Sequence, residues 1–456
     1  MKDVLPGLDV VDDPDVLESL SHDDAEWAPY GTPLAAVRPR STEDVRRVVA
    51  ACAERRIPII PRGAGTGLSG GANAVDGAMV VDLSRMNRIV AIDAENMTAT
   101  VQPGVINDDL KRAVAEHGLW YPPDPASAPW STIGGNVSTN AGGLCCLKYG
   151  VTRDYVLGME AVVGGPAGGY GTVVRLGRQT TKGVSGYDLA GLFTGSEGTF
   201  GVITEITVRL RPARREAPRT VVGAFDSLVA AGRAVAGITR AGLLPAALEL
   251  LDRTCLRAVE QWKHLGISAD AEALLLAQLD TPGRAGDDEA AAVAAVFGAA
   301  GALWAEQSTD EVEADALFAA RRLAYPALER LGPVLTEDVC VPRSRVPEML
   351  LLIEEIAARH GATIATIAHA GDGNLHPLIL APAGDEAAKR AAQGAFEEML
   401  TAAIGMGGTV TGEHGVGLLK RDGMRQELSP AVQAMQVAVK RTLDPLNLFN
   451  PGKVIG

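Results

Sequence analysis

Apolar and polar positions divide the chain into short, well-punctuated elements. "IPIIP", "AMVVDLS", "IVAID" and "TATVQPG" are brief apolar runs separated by turn-forming residues, and they predict short strands. Between them, "STEDVRRVVAACAERR" (Ser41 to Arg56) has a capping serine, acids in its first turn and basic residues at its end, which predicts a helix. "DDLKRAVAEHG" predicts a second helix, closed by Gly118. A further αβ stretch ends at "GVITEITVRLRP", and the charged, proline-bearing "ARREAPR" after it marks a domain boundary. Beyond it, strands such as "EALLLAQLD" alternate with amphipathic helices such as "VPEMLLLIEEIAARHG", predicting an α+β domain with a largely antiparallel sheet. The turn-rich, apolar tail "LDPLNLFNPGKVIG" is expected to pack back onto the first body. The expected divisions are therefore 1–212, 213–410 and 411–456, with no internal repeat.

Composition narrows the function. With 456 residues, two or three domains are expected, and 47% hydrophobic with 21% charged residues is ordinary for a soluble globular protein. A net charge of −14 argues against nucleic acid or an anionic membrane surface as the main partner, since neither offers counter-charge. Neither a signal-peptide core nor an apolar run of membrane-spanning length is present. The cysteines are Cys52, Cys145, Cys146, Cys255 and Cys340. An odd count without a C-x-x-C pair fits a reducing cytoplasm and argues against a disulfide frame or an iron–sulfur cluster.

"PRGAGTGLSGGAN" contains Gly65-Thr-Gly67-Leu-Ser-Gly70, a G-x-G-x-x-G match. A dinucleotide fingerprint must follow a strand and open a helix. The strand is there, but Gly71 to Gly77 is turn-like and a strand follows it, so this is not a Rossmann loop. Its backbone N–H groups can still form an anion nest, although a plain surface turn fits the loop equally well. Two more segments of this kind, "PPDPASAPWSTIGGNVSTNAGG" (Pro122 to Gly143) and "GSEGTFGVIT" (Gly195 to Thr204), shift the balance toward a long polar ligand contacted by backbone.

"TIATIAHAGDGNLHPLIL" alternates at period two on both sides of Gly371 to Asn374, which predicts a β-hairpin with a four-residue turn. That register pairs Ala370 with Leu375 and His369 with His376, with Cβ atoms about 4.5–5.5 Å apart. Two such imidazoles can share a metal, and "TGEHGVG" offers Glu413 as third ligand, leaving positions open for a substrate. Zinc is the first expectation; Fe(II) and Mn(II) suit the same ligand types. The bland alternative is a turn with two solvated histidines and a helix-start glutamate.

The loop Pro61 to Asn73, with the segments Asp124 to Gly143 and Phe193 to Thr204, resembles the flavin-binding segments of the vanillyl-alcohol oxidase superfamily. "HAGDGNLH", "GEHGVGLLK" and "NLFNPGK" narrow the resemblance to the FAD-linked D-2-hydroxyacid dehydrogenases, from about residue 30 onward. It implies an α+β fold with a two-part FAD-binding domain (1–212, with 411–456 packed back onto it) and a cap domain (213–410) carrying the histidine hairpin. Arg62, Gly63, Gly65, Thr66 and Gly67 would cradle the FAD phosphates. Pro123, Asp124, Ser131, Thr132, Gly135, Asn136 and Thr139 would line ribityl and isoalloxazine. Glu197, Gly198, Gly201 and Ile203 would hold the far end, with Asn450 and Lys453 near the flavin or its phosphates. Where some superfamily members have a flavin-linking histidine after the first glycines, this chain has Thr66 and Gly67, which implies non-covalent FAD.

The resemblance further implies oxidation of a D-2-hydroxy acid to a 2-oxo acid. His369, His376 and Glu413 would hold the metal, His414 would act as general base or orient Glu413, and Arg321 would bind the substrate carboxylate. The hydroxyglutarate enzymes carry a lysine and an asparagine where this chain has Thr336 and Leu378, so a monocarboxylate such as glycolate or D-lactate is favoured over 2-hydroxyglutarate. Electrons would leave to a quinone, a cytochrome, an electron-transfer flavoprotein or an iron–sulfur subunit. A cytoplasmic protein, peripheral to the membrane only through a partner, is expected, and a homodimer is allowed. The competing readings are a metal-dependent hydrolase, a non-catalytic flavin electron-transfer subunit, and non-redox use of FAD as in alkyl-glycerone-phosphate synthases.

Overall fold

The computed structural model describes residues 2–25, 27–214, 216–264, 266, 270–308, 310–382 and 384–455. The chain forms two compact units: Met1–Gly142 with Val151–Ala213 and Glu413–Gly456, and Gly143–Gly150 with Arg214–Gly412. The segment Gly143–Gly150, read above with the first domain, belongs to the second unit. The reason is a buried anion: the Asp280 carboxylate receives Lys148 Nζ at 2.5 Å, Arg214 Nε at 3.1 Å and the Tyr149 hydroxyl. No local pattern around residue 145 announces a partner so far along the chain.

Among its described residues the first unit holds two larger sheets and a two-stranded antiparallel ribbon of Leu119–Trp120 with Arg211–Pro212. Val10–Val11, Ala35–Val37, Met79–Asp82 and Ile59–Arg62 lie side by side in that order, with the last three parallel. Helix Thr42–Arg55 supplies the crossover that parallel pairing requires. Ser41 Oγ accepts the Asp44 amide at its start, and Arg56 closes it in the left-handed region. Val45, Val48, Val49 and Cys52 on one helix face join Val37, Ile59, Met79 and Val81 in a buried core. The second sheet is antiparallel, in the order Ile89–Asp93, Thr98–Val101, Gly201–Arg209, Val156–Val163, Thr172–Gly177.

The second unit is built on one sheet in which every described pairing is antiparallel. Its order is Ala302–Gln307, Arg219–Phe225, Ala273–Leu279, Ala247–Asp252, Thr363–His369, Asn374–Leu380, Val334–Thr336, with Val339–Cys340 also on Asn374–Leu380. Leu251, Ile367, Ala365 and Leu378 form one apolar face of the central strands, covered by Cys255, Leu256 and Val259 of helix Arg253–Lys263 and by Phe318, Ala324 and Leu328 of helix Glu311–Glu329. Among the described residues, no helix is long and apolar enough to cross a membrane.

The histidine hairpin forms, in a different register. His369 faces Asn374, Ile367 faces His376, and Ala368 faces Leu375. The turn is therefore 370–373: the His369 carbonyl accepts the amides of Asp372 and Gly373, and Gly373 sits at φ +84°, where a side chain would be strained. Asn374 instead extends the strand, paired on its other edge with Cys340. The shift moves the pairing by two residues, so both histidines keep the same face as diagonal neighbours.

Candidate functional site

In the first unit the three glycine-rich segments meet. A Cβ on Gly63 would lie 2.4 Å from Thr132 Oγ1, one on Gly65 2.1 Å from the Arg62 guanidinium, and one on Gly71 3.0 Å from Glu197 Oε2. The Asn450 amide ties two of them, donating to the Gly71 and Glu197 carbonyls at 2.7 Å each. Gly67 borders Asp23, and Thr66 continues the same loop. Thr132 caps a short helix, Ile133–Thr139, by accepting the Gly135 amide; the helix also carries Asn136, and Thr139 Oγ1 donates to the Gly135 carbonyl. Gly198, at φ +71°, packs on Pro61, while Gly201 and Ile203 begin the strand Gly201–Arg209.

Other expected ligands are engaged elsewhere. Arg62 is buried, and its guanidinium donates to the carbonyl oxygens of His22 and Ser19, so it supports the loop from beneath. Asp124 pairs with Lys111 of helix Asn107–Ala115, and the Pro123 carbonyl accepts Asn107 Nδ2. The Glu197 carboxylate accepts the amides of Val416 and Gly417 at 2.7 and 2.9 Å, and burial pushes its carboxyl up to about 7. Glu197 thus holds the "GEHGVG" loop, with Ser69 Oγ donating to the carbonyls of His414 and Gly415.

These residues suit a flavin dinucleotide. Ser131 Oγ, Asn136 Nδ2, Asn450 Oδ1 and Lys453 Nζ are buried and make no hydrogen bond among the described residues. Buried polar atoms are ordinarily paired, so four such atoms flanking glycine backbone fit a long, polar, anionic cofactor. Burial away from water pulls the Lys453 ammonium down to about 8, against the opposing pull of Asp23 and Glu197.

In the second unit, the apolar sheet face gives way to charge at one end. Glu249 and His369 are directly paired on adjacent strands, and His369 Nδ1 lies 2.7 Å from Glu249 Oε1. Arg321 Nε donates to Glu249 Oε2 at 2.6 Å, reaching down from helix Glu311–Glu329. Burial acts to raise the Glu249 carboxyl, but the charges of His369 and Arg321 outweigh it and hold the group below its ordinary value. The rings of His369 and His376 stand edge to face, centroids 5.1 Å apart. Asp338, fully buried, lies 3.8 Å from His376 Nδ1 and accepts Thr411 Oγ1 and the Gly412 amide. Glu413 and His414 follow in the first unit, with His414 Nε2 3.8 Å from Glu413 Oε1. Thr336 and Leu378 are directly opposed on neighbouring strands; Leu378 is core, and Thr336 Oγ1 makes no hydrogen bond among the described residues.

Glu249 and Asp338 were missed from sequence. The available signal was a lone acid inside an apolar strand, "ALELLD", and paired acids before "VCVP". A carboxylate inside such a run is costly unless paired, and its partners here lie 72 and 120 residues away.

Residues 33–176 match the family model described as FAD binding domain, and residues 214–454 match FAD linked oxidases, C-terminal domain. Glycolate oxidase subunit GlcD of Bacillus subtilis (strain 168) is 43% identical over 92% of this chain and 89% of that protein. Its namesake from Escherichia coli (strain K12) is 36% identical over 100% and 90%, and a D-lactate dehydrogenase of Anaerostipes hadrus 34% over 99% and 96%. Among solved structures, p-cresol methylhydroxylase with substrate bound superposes with a TM-score of 0.79 at 20% identity, over 98% of this chain and 93% of that one, which shows a shared fold. An alkyldihydroxyacetonephosphate synthase does so at 0.72 and 19%, over 97% and 82%. Family membership removes the metal-dependent hydrolase from consideration: this chain is an oxidoreductase and belongs to the FAD-linked oxidases.

Proposed function

We propose that the protein oxidises a D-2-hydroxy monocarboxylate of the glycolate or D-lactate type to the 2-oxo acid, using non-covalent FAD and a divalent metal, and passes the electrons to an external acceptor. The observation that carries this reading is the buried imidazole pair, 5.1 Å between centroids, beside an arginine that shares its carboxylate. His369, His376 and Glu413 are the proposed metal ligands, with zinc first and Fe(II) or Mn(II) compatible. The glycine loop, Ser131, Asn136, Asn450 and Lys453 are the proposed flavin contacts.

When bound, FAD supplies the acceptor for the substrate α-hydrogen with its electron pair, and the metal supplies Lewis acidity at the hydroxyl. Arg321 offers its planar guanidinium to the substrate carboxylate and sets its orientation. His414 takes the hydroxyl proton on a ring nitrogen. The base role is proposed over that of orienting Glu413. Thr336 and Leu378 place no cation or amide where a second carboxylate would need one, which favours glycolate or D-lactate over 2-hydroxyglutarate. Non-redox use of FAD leaves Arg321 and the histidine pair without a role.

The acceptor is a quinone, a cytochrome, an electron-transfer flavoprotein or an iron–sulfur subunit; two of the relatives above are themselves named subunits. Anaerobic mixing with a panel of D- and L-2-hydroxy acids tests the substrate class. Flavin bleaching by D-lactate or glycolate is expected, and bleaching by none of the panel would contradict the proposal.

A further inference from the structure

Glu249 does something that burial alone does not require. Its strand neighbours Ala247, Leu248, Leu250 and Leu251 are buried and apolar, and Glu249 is itself fully buried. Each carboxylate oxygen has its own partner: His369 Nδ1 on Oε1 and Arg321 Nε on Oε2. An ionised carboxylate only accepts, so the His369 ring must carry its proton on Nδ1, and its lone pair is then on Nε2. That is the carboxylate–histidine arrangement that orients metal-ligating imidazoles. His376 is on the neighbouring strand, and Asp338 Oδ1 lies 3.8 Å from its Nδ1. The second oxygen fixes the plane of the Arg321 guanidinium through Nε, and with it the direction of the fork.

We propose that Glu249 is a shared positioning residue: one carboxylate sets the tautomer and orientation of His369 toward metal and aims Arg321 at the substrate carboxylate. The inference rests on the metal and substrate reading above. It makes metal affinity and substrate affinity depend on one group that touches neither ligand.

Glu249→Gln is the test, because an amide of the same shape can serve both partners only by accepting from Arg321 Nε and donating to His369 Nδ1, which moves the imidazole proton to Nε2 and removes the lone pair a metal would take. Metal-stripped flavoprotein is titrated with Zn²⁺ alone against a chromophoric chelator. Glu249→Gln is expected to bind zinc about 10–100-fold more weakly than wild type, with flavin absorbance and near-UV circular dichroism retained, and to show a raised KM for glycolate. Glu249→Asp, whose carboxylate falls one methylene short of both partners, is expected to lose zinc affinity by a smaller factor. Wild-type zinc affinity in either folded variant overturns this inference alone. Failure of the wild-type protein to bind zinc overturns the metal reading and this inference together.

Discussion

The two units build their candidate sites from different material. In the first, Gly63 and Gly65 bring backbone so close to Thr132 and Arg62 that a Cβ would force them to shift, and Gly71 leaves a Cβ only a tight contact with Glu197. In the second, side chains do the work: Glu249 joins His369 to Arg321 across two strands and a helix. A backbone cradle depends on conformations that only glycine adopts easily, so it fails when a Cβ is added. A side-chain cluster depends on partners, so it fails when one acceptor is removed and a buried charge is left exposed to an apolar surround. The glycine cradle and the Glu249–His369–Arg321 cluster should therefore break independently.

The largest expected effect comes from His369→Ala. Substrate-driven flavin reduction should fall roughly 1,000-fold, the loss of several kcal/mol of transition-state stabilisation. The flavin-to-protein ratio, read from absorbance, should stay at the wild-type value. Gly65→Ala should do the converse. It forces a side chain into φ +82° against the Arg62 guanidinium, and strain of about 1–3 kcal/mol weakens FAD binding about 5–150-fold. Its zinc affinity should be unchanged. A histidine variant that sheds flavin, or a glycine variant that loses zinc, would break the comparison.

Arg321→Lys keeps the charge beside Glu249 and removes the fork. Loss of one charge-assisted hydrogen bond, about 1.5–3 kcal/mol, should raise KM for D-lactate or glycolate roughly 10–150-fold in steady-state assays, with kcat little changed.

The smallest effect sharpens the flavin side. The buried Lys453 ammonium titrates near 8 in the free protein, among Asp23, Glu197 and Arg421. Its charged form is the one that favours an anionic cofactor, so FAD affinity should be constant below pH 8. Above pH 8 it should fall, by at most about tenfold per pH unit. Lys453→Met should flatten that dependence in a fluorescence titration.

The contrast also explains what could be read in advance. The glycine loops were legible because an anion nest is made by consecutive residues, and the failed helix after Gly70 already separated this loop from a Rossmann turn. The short helix Ile133–Thr139 was not legible, because "IGGNVST" has weak helical propensity and the Thr132 cap and tertiary packing decide it. The hairpin was legible from alternation, but its register was not. Gly373 and the pairing of Asn374 with Cys340 fixed the turn one residue earlier than expected, which shifts each cross-strand partner by two residues, and parity alone kept the histidines on one face. Glu249 carried no local signature beyond being an acid among leucines, and its meaning appears only when residues 321 and 369 are brought to it.

The most direct test of the metal-centred site is anaerobic flavin bleaching by D-lactate and glycolate before and after removal of bound metal, followed by readdition of Zn²⁺. Bleaching is expected to be lost on stripping, with FAD still bound, and restored by zinc. Full-rate bleaching in protein shown to be metal-free would contradict it.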